Sequence, residues 1–198
     1  MNTIFFIKSE AVEITKFNIK DIPGSSGRLD VITRCILAAL LRGDSFERNT
    51  QIWVFLDHYG TYIFNSEQFN YEIFPKNELL FTDHFVNYLK KDIVNDDKHY
   101  SLLRAIRNSK MNIIEAIKHF LKLNYNIYIL HEEGQNFFEL LTKIQEKQNI
   151  IFILGAQEDK FLNSEELLAF KIPTISFGTQ SYLASSVIRL LKLYLFAL

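Results

Sequence analysis

The sequence is poor in cysteine, proline and glycine, and it has no excess of charge of either sign. Its one cysteine, Cys35, cannot form a disulfide within the chain, so we expect a cytoplasmic protein with a buried structural thiol. With 3 prolines and 7 glycines among 198 residues, the chain shows no low-complexity segment or flexible linker. Because 22 Lys and Arg stand against 23 Asp and Glu, any contact with nucleic acid must come from local clustering of cations.

Several familiar motifs of catalysis and ligand binding are also missing. The chain has no GxxxxGK phosphate loop, no HExxH or CxxC metal spacing and no GxSxG nucleophile elbow. Its 5 histidines show no metal-ligand spacing. We therefore assign no metal to the protein.

Neither end of the sequence predicts a secretion signal or a membrane anchor. The apolar run at the N-terminus is too short for a signal peptide, and acidic residues follow it within a few positions. The stretch from Ser181 to Leu198 is strongly apolar, but it contains Arg189 and Lys192 and is only about long enough to span a bilayer. We expect a buried or subunit-facing helix there, and no contact with a membrane.

The chain does contain enough apolar sequence for a full core, since 48% of its residues are hydrophobic, and residues 1–198 are expected to form one domain. The first half is predicted to contain strands at Thr3 to Ile7, Glu10 to Thr15, Gln51 to Asp57 and Thr61 to Asn65. Its predicted helices run from Leu29 to about Gly43 and from Glu78 to Lys91, before a polar break at Asn95 to Ser101.

The second half alternates helices and strands, which is typical of a parallel sheet covered by helices. Helices are predicted at Met111 to Leu123, Phe137 to Gln145, Ser164 to Phe170 and from about Ser181. The predicted strands are Asn126 to Leu130, Asn149 to Leu154 and Thr174 to Phe177. Each strand ends at a loop, which is where ligands bind in open α/β sheets.

Three of these strand-end loops carry glycine or small polar residues: Leu130 to Gly134, Leu154 to Asp159 and Ser176 to Ser181. Their backbone groups can approach a flat adenine and its ribose, so the loops together could form one pocket. Three ordinary turns remain the alternative interpretation of the same residues.

The most distinctive segment, Asp21 to Arg34, reads DIPGSSGRLDVITR. It resembles the motif of archaeal tRNA pseudouridine N1-methyltransferases, in which a PGS-small-GRLD loop leads into a helix. The segments NIYILHEEG, from Asn126 to Gly134, and IIFILG, from Ile150 to Gly155, resemble two strands of that family in the same order. The chain is therefore identified as a divergent member of this family in the SPOUT superfamily of α/β-knot methyltransferases.

The resemblance implies a fold, a cofactor and partners. The fold would be a SPOUT-type parallel sheet flanked by helices, with a C-terminal trefoil knot that binds S-adenosylmethionine. The substrate would be tRNA or another structured RNA, methylated at N1 of a pseudouridine in the T-loop of tRNA. The family also works as a homodimer through its knot helices, and apolar residues suited to such an interface are Leu183, Val187, Leu190, Leu191, Tyr194 and Leu195.

Matching by position transfers a set of cofactor-binding residues from the family to this chain. They are Leu130, Gly155, Ser176, Phe177, Gly178, Thr179, Gln180, Ser181 and Tyr182. The last loop departs from the family's Ser-Pro-Leu-Glu-Leu character, and Val187 stands where the family has a cysteine. Ala156 to Asp159 replaces a glycine-containing Asp-His segment, and Lys76 replaces an acidic residue.

These departures leave a second hypothesis open, in which a degenerate SPOUT protein binds RNA or a nucleotide without catalysis. A third hypothesis is an ordinary doubly wound nucleotide-binding protein without a knot. The lack of a glycine-rich turn after the first strand counts against it.

Arg28 and Asp30 are the candidate catalytic residues. They lie at the predicted start of a helix, where Asp30 favours the helix dipole and Arg28 can pair with it. In the functional interpretation, Arg28 contacts an RNA phosphate or the extruded base, and Asp30 accepts or orients the N1 proton of pseudouridine. Because a sulfonium methyl group is already activated, the enzyme mainly has to place the nucleophilic nitrogen in line with it.

A basic bias in the centre of the chain comes from Lys90, Lys91, Lys98, Arg104, Arg107, Lys110, Lys118 and Lys122. Such a run is most often a solvated face. Clustered in space, the same side chains would bind tRNA phosphates.

Overall fold

The protein is built on a seven-stranded sheet in this computed structural model, which describes residues 1–90, 104–155 and 161–196. The strands are β1 (Asn2–Ser9), β2 (Leu41–Arg42), β3 (Ser45–Phe46), β4 (Thr50–Leu56), β5 (Gly60–Asn65), β6 (Arg107–Ser109), β7 (Asn126–Asn136), β8 (Asn149–Leu154) and β9 (Thr174–Ser176). The helices are α1 (Ile22–Ser25), α2 (Leu29–Leu40), α3 (Glu78–Leu89), α4 (Ile113–Lys122), α5 (Phe137–Gln145), α6 (Glu165–Leu168) and α7 (Ala184–Phe196). Short 3-10 turns lie at Ser66–Gln68 and Phe161–Asn163.

The strand order in the main sheet is β6-β5-β4-β1-β8-β7-β9. The five strands from β4 to β9 in this order run parallel, whereas β5 is antiparallel to β4 and β6 is antiparallel to β5. The short strands β2 and β3 form a separate hairpin. The predicted α/β architecture with a parallel sheet is confirmed, and an antiparallel edge is added to it.

Both faces of the sheet are covered, because the apolar side chains of the central strands alternate between two cores. In β1, Phe5 and Ile7 belong to the core beneath α2, α3, α5 and α7, while Ile4 and Phe6 belong to the core beneath α4 and α6. A strand that is buried on both faces reads as a continuous apolar run, as the central strands do here. The result is a three-layer arrangement with β1 in the middle of the sheet.

Helix α2 lies deep in the protein, and 11 of its 12 residues are buried. It packs against α3 and α7 as well as against the sheet. Burial raises the pKa of the Cys35 thiol in this helix to about 12, which makes Cys35 an inert structural thiol. The side chain of Lys192, from α7, reaches the C-terminal end of α2 and donates to the carbonyls of Ala38, Ala39 and Leu41 at 2.9, 3.1 and 2.6 Å.

The turn that precedes α2 requires glycine at one position. Gly27 has a φ of +56°, and a Cβ added to it would lie 1.7 Å from the carbonyl oxygen of Ala11. Ser26 completes the turn, since its hydroxyl donates to the Ile22 carbonyl and accepts from the Leu29 N–H. The PGSSGRLD segment is therefore folded by a close backbone contact and by its own serine.

The predicted strand at Glu10 to Thr15 is wrong, because this segment forms no strand. Its backbone faces the α2 turn: the Glu13 N–H donates to the Ser26 carbonyl at 3.2 Å. Hydrogen bonds from the Tyr59 hydroxyl and from the Thr15 backbone lower the pKa of the Glu13 carboxyl to about 2. The last helix was predicted from about Ser181 and begins at Ala184. Three predicted features lie outside the described residues: Lys91, the break at Asn95 to Ser101 and the loop Ala156 to Asp159.

We predict that Gly27→Ala destabilises the protein far more than Gly43→Ala. Both glycines have left-handed φ values, +56° and +52°, but a Cβ on Gly43 would meet nothing within 4 Å. Gly43→Ala should therefore cost only the backbone strain, about 1–2 kcal/mol, and Gly27→Ala should cost roughly 2 kcal/mol more because of the clash. Urea unfolding measures both values. Equal losses in the two variants would show that the contact with Ala11 is not tight.

Candidate cofactor-binding site

The carboxyl ends of β7, β8 and β9 meet at one edge of the sheet, because these three strands are neighbours and run parallel. A cavity of about 460 Å³ lies there, which we call the strand-end cavity. Its volume falls in the range of small-molecule and cofactor sites, roughly 300–1,000 Å³. Ends of α2 and α7 complete its wall, through Val31 from α2 and through Ala184 and Val187 from α7.

Eight of the nine residues expected to bind the cofactor line this cavity. They are Leu130, Gly155, Ser176, Phe177, Gly178, Gln180, Ser181 and Tyr182. Thr179 is not among the lining residues. Described residues at the ends of all three strands thus line one pocket, although the chain separates the first from the last by about 40 residues of sequence.

A bulge in β7 gives the cavity its depth. Leu130 pairs with Ile175 of β9, and so does Gln135, so the residues between them are excluded from the strand pairing. Gly134 lies directly on β9 in this bulge, and a Cβ added to it would be 2.6 Å from backbone atoms of Ile175. Only glycine permits such an approach of two backbones.

Ser176 connects the bulge to the loop that follows β9. Its Oγ lies 3.0 Å from the carbonyl oxygen of Glu132 and 2.7 Å from that of Gly178, and it accepts from the Gly178 N–H at 3.0 Å. A hydroxyl has one proton, so the two carbonyls share it. The serine therefore fixes the separation of two walls of the cavity.

Two further glycines keep the cavity open. Gly178 has a φ of +125°, a backbone conformation that side chains rarely adopt. A Cβ on Gly155 would lie 2.9 Å from Cδ1 of Leu162, so a larger residue there must displace Leu162 or fill the cavity. Small residues at strand ends are what a flat ligand held by backbone groups requires.

Among the described lining residues, Glu132 is the one with a formal charge. The neighbouring His131 also lines the cavity, and its Nδ1 accepts from the Glu133 N–H at 3.2 Å. This hydrogen bond fixes the imidazole ring and leaves the proton of the neutral ring on Nε2. Glu132 was not among the site residues expected from sequence, because nothing in the pattern distinguishes it from the exposed Glu133.

Arg28 and Asp30 lie at the start of α2, but neither lines the strand-end cavity; the next residue, Val31, does. The Asp30 carboxylate is nearly buried, and it contacts Arg28 Nε at 3.1 Å and Arg34 Nη2 at 2.5 Å. Arg34 was not among the site residues expected from the sequence. Its Nε also lies 3.5 Å from a carboxylate oxygen of Glu78. The arrangement is a carboxylate that holds two arginines, each partly exposed, beside the cavity.

The central basic residues lie elsewhere. Arg107 is in β6, at the opposite edge of the sheet from β9, which at the usual strand spacing puts it about 29 Å away. Of the expected set, the described members Lys90, Arg104, Arg107, Lys110, Lys118 and Lys122 do not line the cavity, and Lys91 and Lys98 lie outside the described residues. These described side chains therefore contribute no charge to the cavity wall.

Helix α7 offers fewer apolar side chains to a second subunit than its sequence suggested. Leu191 and Leu195 face the protein's own core, so they are not available to a second chain, contrary to expectation. Leu183 and Leu193 are each 54% exposed, and together with Tyr182 they present apolar surface to solvent on α7 and its approach. No helix in the described ranges is long and apolar enough to cross a membrane, and no metal-binding group of three or more His, Cys, Asp or Glu occurs in them.

A cavity at the carboxyl ends of adjacent parallel strands defines the class as an α/β protein with its ligand site at that end of the sheet. The chain belongs to the family described as "Putative SAM-dependent RNA methyltransferase", whose sequence profile matches residues 1–195. Among its relatives, the tRNA (pseudouridine(54)-N(1))-methyltransferase of Pyrococcus abyssi is 30% identical over 97% of this chain and 96% of its own length. The protein of the same name from Thermococcus onnurineus is 28% identical over 98% of this chain and 97% of its own length.

The fold comparison agrees with the sequence comparison. Nep1 of Archaeoglobus fulgidus, a crystal structure bound to S-adenosylhomocysteine, superimposes with a TM-score of 0.65 over 98% of this chain and 97% of its own. At 15% sequence identity, the likeness concerns the fold. The family expected from the sequence and the SPOUT-type sheet with flanking helices are confirmed, and the family match sets aside an ordinary nucleotide-binding protein. The chain is an RNA methyltransferase that uses S-adenosylmethionine.

Proposed function

We propose that the protein methylates N1 of pseudouridine 54 in the T-loop of tRNA, with S-adenosylmethionine bound in the strand-end cavity. The observation that carries this proposal is the cavity itself, which gathers eight of the nine expected cofactor residues at one sheet edge. Relatives named for this reaction match almost the whole chain. The altered Gly178 to Tyr182 loop still contributes to the cavity wall, which favours an active enzyme over a degenerate one.

The described residues suit the cofactor in shape and chemistry. Leu130, Gly155 and Phe177 offer apolar surface and open backbone for an adenine, and Gln180 and Ser181 offer side-chain hydrogen bonds. When bound, S-adenosylmethionine supplies a methyl group activated by its sulfonium. The remaining task of the protein is to hold the target nitrogen in line with that methyl group and to exclude water.

Arg28 and Asp30 are proposed to act on the RNA. Arg28 is 39% exposed and partly neutralised by Asp30, so it can exchange part of that contact for an RNA phosphate or an extruded base. Asp30 is only 4% exposed, so its role is to orient Arg28 and Arg34 unless the RNA displaces one of them. If an arginine moves, a carboxylate oxygen becomes free to accept the N1 proton.

The same proposal covers the larger organisation of the protein. One methyltransferase domain is supported by β1, which lies between β4 and β8 and so ties both ends of the chain into a single sheet. The trefoil knot and a homodimer follow from the family resemblance, and exposed Leu183 and Leu193 support the dimer. A cytoplasmic location is supported by the single, buried Cys35.

The reaction and the cofactor site are tested together. The purified protein should convert pseudouridine 54 of a tRNA to its N1-methyl form, detected by nucleoside mass spectrometry. Gly155→Val should weaken S-adenosylmethionine binding about 100-fold, a loss of about 2.7 kcal/mol, because the side chain competes with the ligand for the cavity.

Calorimetry measures the affinity, and Thr179→Val is the matched control because Thr179 does not line the cavity. The control should bind within about twofold of the parent. Undiminished binding by a folded Gly155→Val protein would place the cofactor elsewhere, and a parent that binds cofactor without methylating tRNA would support the degenerate alternative.

Arg28→Ala should lower tRNA affinity and turnover and leave the Kd of S-adenosylmethionine unchanged, whereas Asp30→Asn should lower turnover more than tRNA affinity. Arg34→Gln is the comparison that separates two roles of Asp30, because it removes the other ion pair of the same carboxylate. If Arg34→Gln reproduces the Asp30→Asn loss, Asp30 acts by positioning. Urea unfolding of each variant corrects for any loss of stability. Parental rates in the Arg28 and Asp30 variants would refute both roles.

Light scattering should report a dimer at micromolar concentration. Leu193→Asp, on α7, should shift the protein toward monomer, because a charge in an apolar interface is desolvated without a partner. Leu168→Asp is the matched control, since Leu168 is similarly exposed, at 59%, but lies on α6 at the other face of the sheet. A monomeric parent contradicts the homodimer, and dissociation by the control alone would move the interface to the α6 face.

A further inference from the structure

Among the described residues that line the strand-end cavity, one side chain carries a formal charge, and that charge is negative. That side chain is Glu132, and no hydrogen bond or ion pair to the Glu132 carboxylate occurs among the described residues. Its backbone carbonyl, in contrast, is held by the Ser176 hydroxyl at 3.0 Å. The position of the residue is therefore fixed while its carboxylate is left available to a ligand.

The two forms of the cofactor differ in charge at one atom. S-adenosylmethionine carries a sulfonium cation, and its loss of the methyl group leaves S-adenosylhomocysteine with a neutral thioether. The amino-acid ends of both molecules are the same zwitterion, whose opposite charges largely cancel at a distance. A single carboxylate in the cavity thus experiences one positive charge more in the substrate form than in the product form.

We propose that Glu132 is a specificity-determining residue that favours S-adenosylmethionine over S-adenosylhomocysteine through the charge of its carboxylate. This inference rests on the proposed use of the strand-end cavity for the cofactor. It needs the carboxylate to lie on the cavity wall, without direct contact with the sulfur. Because Glu132 is exposed to solvent, the effect is moderate and decreases with added salt.

The reaction explains why such a preference is useful. The S–CH3 bond breaks as the N1–CH3 bond forms, the electron pair of the S–C bond returns to sulfur, and the N1 proton passes to a base, for which Asp30 is proposed, and from there to solvent. The cavity loses its positive charge in this step, so the attraction to Glu132 is lost when the product forms. A carboxylate here helps S-adenosylmethionine to compete with S-adenosylhomocysteine for the cavity, but it does not lower the barrier, because it stabilises the sulfonium of the bound substrate at least as well as the transition state.

The test replaces Glu132 with glutamine and compares three ligands by calorimetry. Glu132→Gln should raise the Kd of S-adenosylmethionine about tenfold, or about 1.4 kcal/mol, and change the Kd of S-adenosylhomocysteine by less than about twofold. 5′-Methylthioadenosine, which has the nucleoside but no amino acid and no charge, should also bind as before. Glu133→Gln is the matched control, since Glu133 is the next residue in the same bulge and does not line the cavity.

Kinetics supply a second readout on the full enzyme with tRNA. In Glu132→Gln, the KM for S-adenosylmethionine should increase while the inhibition constant of S-adenosylhomocysteine stays unchanged, so that S-adenosylhomocysteine inhibits more strongly at a fixed concentration of S-adenosylmethionine. The single-turnover rate at saturating cofactor should not fall. Equal weakening of all three ligands would mean that Glu132 binds the ribose, and weakening of the two amino-acid ligands alone would mean that it binds the ammonium group. Either pattern, or no change, overturns the proposal while leaving the proposed function intact, because that function fails only if the parent protein does not bind cofactor or methylate tRNA.

Discussion

The ammonium group of Lys192 donates hydrogen bonds to the last turn of α2, and the geometry of the strand-end cavity depends on the position of α2. The final carbonyls of a helix have no partner within the helix, and here they are satisfied by a cation from the far end of the chain. Burial lowers the pKa of Lys192, while the carboxylate of Glu47, 3.5 Å away, opposes that shift. Removing one partner of such a buried pair typically costs about 3–5 kcal/mol, so this contact is a large fraction of the stability of a protein of this size.

The contact matters for the site because α2 and α7 both reach the strand-end cavity. With the C-terminal end of α2 fixed by Lys192, its first turn places Val31 in the cavity wall, and α7 places Ala184 and Val187 there. The first turn of α2 is fixed independently by Gly27, which lies against Ala11, and by the ion pairs of Asp30. A helix held at both ends keeps the residues proposed to bind RNA at a constant distance from the residues proposed to bind the cofactor.

Much of the sheet and of the cavity could be predicted from sequence, because a local sequence pattern determines them. The alternation of helices and strands in the second half and the strand-end rule predicted the parallel sheet and most of the cavity, because both depend on the common direction of the parallel strands. The predicted strand at Glu10 to Thr15 failed because the α2 turn uses its backbone groups. Strand β6 (Arg107–Ser109) has no apolar pattern and forms because β5 offers it an open edge. Nothing in the sequence shows why Lys192 is buried, and only its contact with the end of α2 explains it.

The places where this chain departs from the family pattern have a physical reason in the same geometry. The loop from Gly178 to Tyr182 departs from the family pattern, yet it still lines the cavity, because Ser176 and the approach of Gly134 to β9 set its path through backbone contacts. Side chains beyond those anchors can change without moving the wall. The PGSSGRLD turn has no such freedom, since a Cβ at Gly27 would meet a backbone oxygen and Asp30 must match two arginines. The turn therefore keeps the family sequence while the cofactor loop diverges, and divergence of that loop is weak evidence against catalysis.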